Sequence, residues 1–157
     1  MSTPDIPTML LREHKAVTNL FRRHQETLLA RDWARAARLL ACYQKRLATH
    51  IRLEDELLLP YANTAGDRKL RWDAHVYMVE HRKLLELTCE LDNKLATARR
   101  RGITPAMLID LLDEEMTLKH VFEHHHEREE KGLFEELPMY LPVEAKARLR
   151  AVLLTQH

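Results

Sequence analysis

Apolar residues return every three or four positions along most of the chain, in four long stretches and one short one. That is the period of a helix burying one face. The first stretch predicts a helix over about 8–30, with Leu10, His14, Val17, Phe21, Gln25 and Leu28 inward. The second starts behind Asp32, a suitable N-cap, and runs to about 63. Its stripe reads Ala36, Leu40, Tyr43, Leu47, His50, Glu54, Leu57 and Leu58, and Pro60 should kink or end it. Gly66 and Asp67 mark a turn. A third helix is expected over about 70–101, carrying Ala74, Tyr77, Met78, His81, Leu84, Leu85, Thr88 and Leu95 inward. It ends on three arginines and Gly102.

The fourth pattern opens with Thr104 as N-cap and Pro105 at the first helical position. It continues through Leu108, Leu111, Leu112, Glu115, Leu118, Val121, Phe122, His125, Glu129 and Leu133 and stops before Pro138. A short fifth helix comes after Pro142, over about 143–154. Short connections between long amphipathic helices favour antiparallel neighbours. The expected fold is therefore all-α: an antiparallel up-down-up-down four-helix bundle over about 8–137, with a short C-terminal fifth helix. All of residues 1–157 belong to one domain in this reading. The fifth helix, with Leu149, Val152 and Leu153 on one side, either packs back on the bundle or forms a contact with a partner protein or a second copy.

Composition removes some function classes and raises one. With 25 basic and 24 acidic residues, no field of one sign attracts nucleic acid or an anionic membrane. No apolar run approaches the ~20 residues of a membrane span. Residues 1–11 lack the basic and apolar regions of a signal peptide. Cys42 and Cys89 form no metal-binding or redox spacing and read as reduced, semi-buried thiols, so the expected location is cytoplasmic. The 10 histidines change the picture, because imidazole is the commonest protein metal ligand and costly to bury without a partner.

Two inward stripes contain the same pair: His50 with Glu54, and His125 with Glu129. Residues four apart share a helix face, so each pair can reach one ion, or its carboxylate can bridge to a second. His14 and His81 interrupt the apolar stripes of the first and third helices. In an up-down-up-down bundle these six residues fall in one slab at one end. Taken singly, each has a blander reading, a surface hydrogen bond or a satisfied core histidine; their common depth favours a metal site. Imidazole and carboxylate without thiolate suit iron, manganese or zinc. Six side chains exceed one tetrahedral zinc site, and two ions bridged by the two glutamates use them all.

The other histidines receive structural readings. His24 lies about 15 Å along the axis from His14 and cannot share its site. His75 points away from the His81 face. His120, His124 and His126 lie out of register with Phe122 and Glu129, so His126 and Glu130 are expected to face solvent. Glu13, Asp55, Glu80 and Glu127 are expected to be solvated or to hydrogen-bond a ligand.

Glu13-His14, the segment from His50 to Pro60 (HIRLEDELLLP), Glu80 to Leu84 (EHRKL) and His125 to Phe134 (HHEREEKGLF) together resemble the hemerythrin-like, HHE cation-binding family over about residues 8–137. The resemblance implies a non-haem di-iron centre, two iron ions joined by an oxo or hydroxo bridge, with zinc or manganese as substitutes. His14, His50, His81 and His125 would be terminal ligands, and Glu54 and Glu129 bridging carboxylates. It further implies binding of O2, NO or a related small ligand such as peroxide, for sensing or scavenging. A di-iron oxidase or peroxidase, or a protein of iron storage or repair, is the alternative, so enzymatic turnover stays open. Hemerythrin proper carries two histidines one turn apart on its third helix. Here Tyr77 and Leu85 occupy the positions four residues either side of His81, so one ligand is missing. That leaves an open coordination position and favours redox, NO or peroxide chemistry over reversible O2 carriage. Tyr77 either points at that position or simply packs, and packing is the more common outcome.

Overall fold

The computed structural model describes residues 4–63 and 70–155. The turn expected at Gly66 and Asp67 lies outside them. Among the described residues all regular structure is helical. In chain order it comprises α1 (Ile6–Leu29), α2 (Trp33–Leu57), α3 (Leu59–Asn63), α4 (Ala74–Arg101), α5 (Pro105–Arg128), a π-helical turn (Glu129–Phe134), α6 (Leu137–Tyr140) and α7 (Val143–Thr155).

Side-chain caps set the long helices' first turns. Asp5 accepts from the Thr8 amide, Asp32 from Arg35, Asp73 from His75 and Thr104 from Met107, satisfying donors that have no intrahelical acceptor. Asp73 moves the start of α4 four residues past the expected 70. Residues 70–72 are instead drawn towards the π turn, where the Arg71 amide meets both Glu136 carboxylate oxygens at 2.9 and 3.1 Å. Pro60 acts as expected: α2 stops at Leu57, and the proline is absorbed in the first turn of α3.

α1 packs on α2, α2 on α4 and α4 on α5. The start of α1 meets the end of α5, through His14 and Glu129. The end of α1 meets the starts of α2 and α5, through His24, Ala36 and Glu115. Neighbouring helices therefore run antiparallel, as expected. α7 folds back on α1 and α2, burying Ala145, Leu149 and Leu153 while Val152 turns outward.

The apolar core comes in two parts. Met9, Leu10, Leu53, Leu58, Tyr77, Leu133 and Phe134 pack with α7 at one end. Val17, Phe21, Leu47, Leu84, Leu118 and Phe122 fill the middle and far end. A fully buried leucine of this kind contributes about 1.5–3 kcal/mol. Between the parts, every long helix interrupts its stripe with polar residues: His14 between Leu10 and Val17, His50 between Leu47 and Leu53, His81 between Tyr77 and Leu84, His125 and His126 beyond Phe122. Met78, expected inward, is 42% exposed.

α5 departs most from expectation. It does not continue to Pro138 as one α-helix. The π turn adds a residue to one turn and rotates the positions after it, so Gly132, Leu133 and Phe134 are all buried in succession. A β-carbon on Gly132 would stand 2.6 Å from the Trp72 ring and 2.7 Å from the Tyr77 hydroxyl. Only glycine leaves room there. Such π turns inside α-helices frequently mark functional sites.

Candidate metal centre

α1, α2, α4 and α5 each turn the same kind of donor into the layer between the two core parts. Two groups form. His14, His50, His126 and Glu129 offer donor atoms all within 4.8 Å of one another, and so do Glu54, His81, His125 and Glu129. All seven side chains are buried.

Glu129 joins the groups through different oxygens. Its Oε2 lies 3.1 Å from His14 Nε2, while its Oε1 lies 2.9 Å from His125 Nε2 and 3.2 Å from His81 Nε2. Glu54 spans the same gap, with Oε1 3.2 Å from His50 Nε2 and Oε2 3.3 Å from His81 Nε2. Proximity here is mostly not hydrogen bonding. His14 Nε2, His50 Nε2, His125 Nε2, His126 Nε2, Glu129 Oε2 and both Glu54 oxygens are buried without a hydrogen-bond partner. Orphaned acceptors and lone pairs are costly inside a protein. Gathered on one centre, they form a donor set of nitrogen and oxygen that suits a pair of divalent or trivalent ions.

The outward ring nitrogens are held separately. His81 Nδ1 donates to Asp55 at 2.7 Å, His14 Nδ1 to Glu130 at 2.9 Å and His125 Nδ1 to Glu80 at 3.0 Å. A carboxylate can only accept, so each of these bonds fixes the tautomer that presents the Nε2 lone pair inward. Arg128 in turn grips Glu80 and rests over the Trp72 ring.

All six residues singled out in the sequence meet in this layer. One that was read as solvent-facing meets them there too. His126 is buried, stacked on His14 at 3.5 Å with an angle of 2° between the rings, and packed on Phe122 at 3.9 Å. The correction has a geometric cause. Adjacent helical residues diverge by about 100°, but two groups of donors side by side subtend a wider arc than one apolar stripe. His125 turns towards Glu80 and His81 of α4, and His126 towards His14 and His50. The imidazole missing from α4 is matched by a fifth one from α5. The signal was legible as the consecutive His125-His126.

Other expectations sort plainly. His75, His120, His124 and Glu127 are exposed, as expected. Asp55 and Glu80 hydrogen-bond ligand candidates. Glu130 does so as well, and is not purely solvated. Glu13 is not solvated: it is buried and held by Arg46 at 2.8 and 3.2 Å. Cys42 and Cys89 are exposed, not semi-buried, because each lies one residue from an inward position, Tyr43 and Thr88. Tyr77 is buried with its hydroxyl 3.5 Å from the Arg128 carbonyl.

Burial alone would push the His14, His81 and His125 imidazoles down. The facing carboxylates reverse this, lifting His14 to about 9 through Glu129 and Glu130, His81 to about 12 through Asp55, Glu129 and Glu54, and His125 to about 9 through Glu129 and Glu80. Burial likewise opposes the Glu129 charge, but the three imidazoles around it hold it well below the usual carboxylate range. His126, buried and crowded by His14, is pushed far down and stays neutral. Without metal, His14, His81 and His125 are thus held towards the imidazolium form by the carboxylates facing them.

Linkage fixes the sign of the pH dependence. Raised values at His14 and His125 contribute stability that is complete below the ordinary 6.5 and is lost as pH climbs through about 9. His81 behaves the same way through about 12. His126 works the other way, costing stability as pH falls below 6.5. The metal-free protein should be most stable near pH 6.5, losing stability below it through His126 and steadily above it through His14, His81 and His125. Thermal unfolding of chelator-treated protein across pH checks this, and a midpoint rising steadily into alkali contradicts it.

The hemerythrin HHE cation binding domain family is matched over residues 5–116. The chain belongs to this family. The hemerythrin match includes His14, His50, Glu54 and His81 and stops short of His125, His126 and Glu129, whose place beside them comes from the geometry alone. No curated protein and no solved structure matches significantly. A cation-binding domain is in keeping with the His and Glu groups. Among the described residues no helix is long and apolar enough to cross a membrane.

Proposed function

We propose that this chain, as one hemerythrin-like domain, holds two iron ions and through them binds O2, NO or a related small ligand for sensing or scavenging. The observation that carries the reading is the sharing of Glu129 between two groups of buried, otherwise unpartnered donors. His14, His50 and His126 would hold one ion, His81 and His125 the other, with Glu54 and Glu129 bridging. Bound iron would supply the redox chemistry and the affinity for a small ligand. The chain supplies the rest. Asp55, Glu80 and Glu130 orient three imidazoles, the apolar parts above and below exclude bulk water, and the carboxylates balance the charge. His14, His81 and His125 must surrender their protons to coordinate, so acid weakens loading.

The fifth imidazole changes the weighting of ligand chemistry. With three histidines facing one ion and two the other, reversible ligand binding is no longer disfavoured. Two exposed, unpaired thiols, Cys42 and Cys89, favour a reducing compartment such as the cytoplasm.

Metal analysis after anaerobic Fe(II) loading, with the visible spectrum before and after air, tests the reading. Two irons per chain and ferric charge-transfer bands in air are expected. One ion or none, with an unchanged spectrum, overturns it.

A further inference from the structure

The two groups of donors differ behind their ligands. Both histidines of the Glu54–His81–His125–Glu129 group carry a carboxylate on the outward nitrogen: Asp55 on His81 at 2.7 Å and Glu80 on His125 at 3.0 Å. In the other group only His14 has one, Glu130 at 2.9 Å. His50 Nδ1 is buried without any partner. The shared carboxylates do not cancel this difference: Glu129 gives one oxygen to each group, and Glu54 sets one oxygen beside His50 and the other beside His81.

An imidazole that donates Nδ1–H to a carboxylate is pulled towards imidazolate and becomes a stronger donor at Nε2. It is also pinned in rotation, so less freedom is lost when an ion binds. Arg128 reinforces the pinning by holding Glu80 in place while it stacks over Trp72. His50 and His126 lack such backing among the described residues and lean on ring packing instead, His126 on His14 and Phe122. We propose that Asp55 and Glu80 make the His81–His125 position the tighter of the two, so that the centre fills in order: this position first, the His14–His50–His126 position second. Glu130, alone behind the second position, sets its affinity. All three are positioning residues that act through the histidines they hold. The inference rests on the two-ion reading above.

Anaerobic titration of the metal-free protein with Co(II), against a competing chelator, reads both steps. Proton NMR identifies the position filled, because paramagnetic Co(II) displaces the ring N–H signals of its own histidines. Wild type should bind two ions in two resolved steps, with the His81 and His125 N–H signals shifting first. Asp55→Asn with Glu80→Gln should weaken the first step about 10–100-fold, the usual effect of removing such partners, and leave the second near its wild-type value. Glu130→Gln should weaken only the second. Should the double variant not fold, Asp55→Asn alone, at an exposed carboxylate, gives the same shift at smaller size. The proposal is overturned if wild type loads two ions in one step, if His14 and His50 respond first, or if the variants shift both steps equally. Uptake of no more than one ion by wild type is a different failure: it sinks the two-ion reading itself, and this ordering with it.

Discussion

Glu129→Ala should take the protein from the two bound ions proposed for it to one or fewer, the largest loss of metal from any single substitution in the chain. The reason is topological. Every other donor faces one group, or, for Glu54, meets a single histidine on each side, whereas Glu129 touches His14 with one oxygen and both His81 and His125 with the other. Its removal strips a donor from both ions and the negative charge that lets them sit side by side. The metal-free protein should suffer as well. Glu129 is the carboxylate shared by three raised imidazoles, and breaking a buried pair from one side costs about 3–5 kcal/mol. Glu129→Gln keeps the volume and separates the two effects. It should fold better than the alanine variant and still fail to hold two ions, because an amide does not bridge cations as a carboxylate does. Metal analysis after anaerobic loading and denaturant unfolding of the chelated protein give both readings. Two ions at full occupancy in either variant would end the bridging role.

Much of this centre was legible in the sequence, and the reasons can be named. His14, His50, Glu54, His81, His125 and Glu129 each keep helical register with leucines and aromatics, so the periodicity that builds the bundle also delivers them inward. Their common depth came with the antiparallel order, since helix starts and ends alternate. What periodicity hid was width. A stripe rule assigns one inward residue per turn, whereas a layer wide enough for two groups of donors admits His125 and His126 together. The π turn was hidden for a related reason. The purpose of Gly132 becomes visible only when Trp72 and Tyr77, over fifty residues earlier in the chain, press against it. The start of α4 was misplaced because residues 70–72 look helical by composition, yet the Arg71 amide is claimed by Glu136 across the molecule. Caps within three residues, such as Asp5 and Thr104, are local chemistry; contacts of that long range are not.

A paired substitution at His24 and His126 tests the remaining division of labour, between holding metal and holding the fold. Both are buried histidines outside the six predicted ligands, and the sequence offered no reason to expect metal loss at either. They should now part. His24 sits at the far end of the bundle, its Nδ1 donating to the Ala36 carbonyl at 2.7 Å and its Nε2 hydrogen-bonded with Glu115 Oε1 at 2.7 Å. Glu115 is fully buried and its other oxygen has no partner, so His24 is what makes its burial tolerable. His24→Ala should therefore destabilise by about 3–5 kcal/mol, the cost of stranding one half of a buried pair. It should leave two ions bound, because none of the gathered donors lies near. His126→Ala should do the reverse. It removes a neutral ring whose contacts are packing, His14 on one side and Phe122 on the other, at a cost of about 1–3 kcal/mol or less in the metal-free state. It should also lower metal occupancy below two, because an unpartnered Nε2 leaves the His14–His50–Glu129 group. Denaturant unfolding of the chelated variants, set beside metal analysis of the loaded ones, distinguishes the roles. Undiminished metal in His126→Ala would return that histidine to a packing role. Lost metal in a folded His24→Ala would mean that the far end of the bundle governs the geometry of the centre.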